Sequence, residues 1–116
     1  MQKINIKQFN KYKKIFGIQK IQALWEDFVN QAEDAWQKMD ILEMEACRYI
    51  FHNWRSSGKI FGLDDFSQLC QQIEENILSH RFAKAKKQIQ AAKLLYQECL
   101  SSVSAMFSQK ENDNEK

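Results

Sequence analysis

The chain has 116 residues, 44% hydrophobic and 28% charged, with a net charge of +2; this balance predicts one folded domain and argues against wholesale disorder and against a membrane protein. Proline is absent and glycine occurs only at positions 17, 58 and 62, which disfavours sheets built on tight turns and excludes the glycine-rich phosphate loops of nucleotide-using enzymes. Charge is blockwise, with six lysines and no acid in residues 1–20, seven acids against one lysine in 26–45 and five bases in 81–93, so faces of opposite sign suited to docking a partner are expected.

A short leader helix is predicted over Ile6–Phe16, ending at Gly17. The first long helix runs from Ile18 to Met39, apolar at Ile18, Ile21, Leu24, Trp25, Phe28, Ala32, Trp36 and Met39 in steps of three and four. Asp40 is the expected cap of the second helix, with Glu43 as its capping-box partner. That helix runs to Phe61 and stops near Gly62. Asp64 or Asp65 caps a third helix, which turns Phe66, Leu69, Cys70, Ile73 and Ile77 inward. Ser79 and His80 mark a weak break, with His80 as a surface or cap residue. A fourth helix then carries Phe82, Ala85, Ile89, Ala92, Tyr96, Cys99, Val103 and Phe107 inward.

Four apolar stripes joined by short connections predict an all-α fold. The expected form is an antiparallel up-down-up-down four-helix bundle with a short N-terminal leader helix, over residues 1–107, followed by a polar, disordered tail over 108–116. Trp25, Trp36 and Trp54 lie in the stripes and read as core. Cys47, Cys70 and Cys99 lack metal or redox spacing and also fall in the stripes, so buried reduced thiols and a cytoplasmic location are expected. No apolar run reaches membrane-spanning length, and no signal-peptide pattern is visible.

One position on the second helix breaks the pattern. On a helical wheel Ala46, Cys47, Ile50, Trp54, Ser57 and Phe61 cluster on the core side, and His52 falls opposite. Its helical neighbours are Arg48 at i−4, Arg55 at i+3, Ser56 at i+4 and Lys59 at i+7, with Glu45 the nearest acid on this helix. Tyr49 and Phe51 flank this patch and are expected to be partly buried. Most lone exposed histidines are inert surface residues. Here the surrounding cations suit phosphoryl oxygens arriving at a ring nitrogen, and the small Ser56 leaves room for another protein. Metal binding is disfavoured by the same cations and by the lack of a second ligand at i+3 or i+4.

The stretch from His52 to Glu74 resembles the histidine-phosphotransfer (HPt) domain of bacterial multistep phosphorelays. The resemblance rests on His52, a base at Arg55, small residues at Ser56 and Ser57, Gly62 ten residues after the histidine, and the closing pattern Leu69, Ile73, Glu74. It implies that His52 accepts a phosphoryl group on Nε2 from a receiver-domain aspartyl phosphate and passes it to another receiver aspartate. Arg55 would pair with the phosphoryl oxygens. Glu74 would accept a hydrogen bond from His52 Nδ1–H, fixing the tautomer. Ser56 and Gly58 would keep the approach open or let helices pack closely. The docking footprint would include Arg48, Tyr49, Phe51, Ser56, Lys59 and Gln71.

On this resemblance the chain is a phosphocarrier without a kinase domain, not an independent enzyme. It would be a monomer whose partners are response-regulator receiver domains or a hybrid sensor histidine kinase, with no nucleic acid and no membrane. It would need no cofactor, the magnesium ion belonging to the receiver. Ser56 stands where the family most often has Gly, Arg55 where it more often has Lys, and Phe51 where it has a small residue. The alternative is a non-catalytic helical adaptor in which His52 is incidental. A basic nucleic-acid-binding bundle ranks below both, because no ladder of aromatic and basic residues accompanies the N-terminal lysines.

Overall fold

The computed structural model describes residues 4–114, with side chains as far as Ser108. Every regular element among them is helical: α1 (Ile6–Phe16), α2 (Ile18–Lys38), a 3-10 turn (Met39–Ile41), α3 (Met44–Ile60), α4 (Asp64–Leu78) and α5 (Phe82–Asn114). The expected tail over 108–116 falls, beyond Ser108, on side chains outside the described residues. Among the described residues no helix is long and apolar enough to cross a membrane.

The leader begins at a cap that sequence analysis missed. Asn5 accepts from the backbone N–H of Gln8 at 3.0 Å. It also ties α1 to the α3–α4 corner, donating its N–H to the Gly62 carbonyl at 2.8 Å and its amide to Asp64 at 2.7 Å. Gly62 has a φ of +73°, and a Cβ there would fall 2.4 Å from the Asn5 carbonyl oxygen. Only glycine meets both demands, a left-handed turn and a neighbouring backbone in contact.

The two expected caps are not used. Asp40 lies in the 3-10 turn, and α3 starts later, at Met44, behind Glu43, whose side chain makes no capping bond. The cause is that α2 tightens into that turn instead of opening into a loop, which delays the next helix. Likewise Leu63, not Asp64 or Asp65, precedes α4, and both acids sit in its first turn. There they face the positive end of the helix dipole without closing a ring. Between α4 and α5, His80 adopts a left-handed φ of 60°. Its N–H donates to the Ile77 carbonyl, and the Arg81 N–H to that of Asn76, satisfying the helix end.

The three tryptophans are core residues, as expected. Phe28 sits at the centre of an aromatic cluster, with ring centroids 5.7 Å from Phe61, 6.1 Å from Tyr96, 6.2 Å from Trp54 and 6.4 Å from Phe66. Such edge-on and tilted pairs add to the burial of each ring. Cys47, Cys70 and Cys99 are free and buried. Burial pushes all three thiols up, that of Cys99 to about 12.

The helices are unevenly spaced. α3 and α4 make the closest pairing, because Gly58 offers no side chain where they meet. A Cβ at Gly58 would lie 3.3 Å from the Ser67 Cβ and 3.4 Å from the Leu63 carbonyl oxygen. α2 instead meets its neighbours through rings, with Trp36 5.0 Å from Trp54, 5.8 Å from Tyr96 and 6.1 Å from Phe51. Small contact residues bring helix axes together and large ones hold them apart.

Candidate functional site

The site starts from how α3 is rotated. Its fully buried face is Cys47, Phe51, Trp54 and Gly58, while Ala46, Ile50 and Ser57 are only half-buried. The core face is therefore turned by about 60° from the wheel expectation. Phe51 is a correction in consequence: it is fully buried against Trp36 and Trp54 and belongs to the core, not to a docking surface. The same rotation swings Arg48, His52 and Arg55 toward α4.

On α4, Ser67, Cys70 and Glu74 follow at helical spacing and are all buried. The last two turns of this face thus carry a carboxylate into the α3–α4 seam. Glu74 Oε2 lies 2.8 Å from His52 Nδ1, while the imidazole side chain stays 55% exposed. Arg55 Nη1 donates to Glu74 Oε1 at 3.4 Å, and Arg48 Nη1 lies 3.7 Å from Oε2. A carboxylate facing Nδ1 assigns the ring proton to that nitrogen and leaves the lone pair on Nε2.

The cations are less free than the wheel suggested. Arg48 grips Glu45 through Nε and Nη2 and lies over the Tyr49 ring, 4.8 Å from its centroid. The hydrogen bonds from Arg48 hold the Glu45 carboxyl below its ordinary range, and those to Glu45 raise the Arg48 guanidinium. Arg55 is engaged by Glu74. Of the remaining expected residues, Tyr49, Ser56 and Lys59 are exposed on α3. Gln71 is exposed on α4, donating to Glu75 at 3.2 Å.

One contributor was missed. The buried Ser67 hydroxyl donates to the Arg55 carbonyl at 2.7 Å, bonding the two helices beside the site. Its only sequence signal is a small hydroxyl residue on an apolar face, seven positions before Glu74. Among the described residues no group of three or more His, Cys, Asp or Glu is placed to hold a metal ion.

What the arrangement can do chemically follows from its parts: an exposed imidazole, oriented by a buried carboxylate, with a guanidinium beside it. These parts position a nitrogen nucleophile next to positive charge. The chain matches no protein-family model, no curated protein and no solved structure.

Proposed function

We propose that this chain is a histidine-phosphotransfer module: His52 takes a phosphoryl group on Nε2 from a receiver-domain aspartyl phosphate and hands it to another receiver aspartate. The observation that carries this reading is the 2.8 Å contact between His52 Nδ1 and Glu74, made across two helices with the imidazole exposed. In this reading α2 to α5 form an antiparallel up-down-up-down bundle with α1 as its leader, working in the cytoplasm.

The transfer needs little from this chain beyond placement and charge. The Nε2 lone pair attacks phosphorus; the N–P bond forms as the bond to the donor aspartate oxygen breaks, and the carboxylate leaves with the electron pair. Nδ1 keeps its proton, shared with Glu74, which offsets the positive charge the ring acquires. Arg55, a third exposed and on a long contact, turns to the phosphoryl oxygens and stabilises the loose transition state. The magnesium ion enters with the receiver. Running the same steps backwards onto a second aspartate unloads the histidine.

The test is transfer of labelled phosphate from a phosphorylated receiver domain. The unmodified chain should take acid-labile label, and His52→Gln none, with its circular dichroism unchanged because the side chain lies outside the core. Equal labelling of the variant, or an acid-stable label, would overturn the reading. A chain that accepts no label from any receiver would be a helical adaptor.

A further inference from the structure

Glu74 is 7% exposed and has three partners: His52, Arg55 and Arg48. A buried carboxylate stripped of its counter-charge is strongly disfavoured. The proposed reaction takes Arg55 away from Glu74 and onto the phosphoryl oxygens, which leaves the charged ring and Arg48 as the cations beside this carboxylate.

The two arginines differ in how firmly they are held. Arg55 is 36% exposed, and among the described residues its side chain is held by Glu74 alone, at 3.4 Å. Arg48 is 19% exposed, forks onto Glu45, lies on the Tyr49 ring and keeps Nη1 3.7 Å from Glu74 Oε2. That oxygen is also the one facing His52 Nδ1.

We infer that Arg48 is the resident counter-charge of Glu74, a positioning residue that keeps this carboxylate paired and aimed at His52 while Arg55 leaves for the phosphoryl group. Glu45 and Tyr49 are its anchors. The inference rests on the phosphotransfer reading and divides the labour between two arginines that are equivalent on a helical wheel. It also gives Glu45 a purpose: pinning Arg48 from the solvent side stops it from following the phosphoryl group outward.

The test uses phosphoramidate as donor, so that no protein has to dock. The N–P bond of the donor breaks, ammonia leaves, and the phosphoryl group joins Nε2. Arg48→Gln should slow labelling of His52 about tenfold, the scale seen when groups that orient a reactive ligand are removed. Arg48→Lys should recover most of the rate, since it restores the charge. The Nε–H NMR signals of the two arginines, assigned with the single Lys variants, give a second readout. Phosphorylation should shift the Arg55 signal and leave the Arg48 signal in place. Labelling of Arg48→Gln at the unmodified rate, or a shift of Arg48 in place of Arg55, would overturn the inference while leaving His52 as the acceptor. If the unmodified chain takes no label from phosphoramidate or from any receiver, the phosphotransfer reading itself fails, and this role with it.

Discussion

The α3–α4 seam and the α2–α5 seam are built from opposite materials. The first is closed by Gly58 against Ser67 and bolted by the Ser67 hydroxyl on the Arg55 carbonyl. The second is propped by Trp36 against Tyr96, tied by the Tyr96 hydroxyl to Glu33 at 2.7 Å. Near the 3-10 turn it stays open as a groove of about 630 Å³ between Met39, Leu42, Met44 and Ile89. Asp40 and Glu43 stand on one lip of this groove and Lys86 and Lys87 on the other. A hydrogen bond from one helix to a ring on another tolerates only tenths of an ångström of drift. The bond between Glu74 and the His52 ring is placed in the tight seam, and the wide seam, although tied by Tyr96, carries none of the proposed chemistry.

Alkali should disturb both seams, and this is the largest effect expected. Burial raises the thiols of Cys70 on α4 and Cys99 on α5, and burial with the Glu33 contact raises the Tyr96 hydroxyl. A raised folded-state value means the unfolded chain releases its proton first. Stability is therefore complete below the ordinary thiol range and falls as pH climbs from about 9 toward 12. Urea midpoints measured across that range should drop steadily, and Cys99→Ala should flatten the drop.

Gly58→Leu comes next, because its side chain has no space in the tight seam. Overpacking of this kind should cost about 1–3 kcal/mol in urea unfolding and abolish phosphoryl acceptance by pushing Glu74 away from His52. Unchanged stability would mean that the seam is not closed by this glycine. Smaller effects separate the two seams more sharply. Ser67→Ala and Tyr96→Phe each remove one hydrogen bond between helices, a loss of about 1 kcal/mol apiece. Only Ser67→Ala should slow phosphotransfer. Equal slowing by both would show that the site depends on overall stability and not on the local seam. Smallest of all, Gln90→Phe should leave stability within about 0.5 kcal/mol, since Gln90 is exposed on α5 and lines the open groove, where a ring meets space, not a neighbour. A larger loss would show that the groove is packed more firmly than its shape implies.

These contrasts mark how far the residues alone could be read. Apolar spacing placed the start of every long helix to within a few residues and predicted a buried role for the tryptophans and cysteines, while α5 runs on to Asn114, past the expected end at Phe107. Gly17 and Gly62 stopped helices where expected. Phe51 went wrong because the wheel counted Ala46, Ile50 and Ser57 as core. Three half-buried residues were enough to rotate the inferred face. The caps went wrong because Asp40 and Asp64 have the right chemistry in the wrong backbone, and a cap works only where the preceding residues already turn the chain.

His52 was visible as an exposed imidazole among cations, and a family resemblance pointed to Glu74. Nothing in the local pattern says that positions 52 and 74 meet, nor that Glu45 and Glu74 share Arg48. Sequence by itself determined which face of each helix is apolar, because that property repeats every 3.6 residues along one segment. Tertiary structure decided which faces touch and at what distance. Helix separation is set by the volumes of residues far apart in the chain, here Gly58 against Ser67 on one side and Trp36 against Tyr96 on the other.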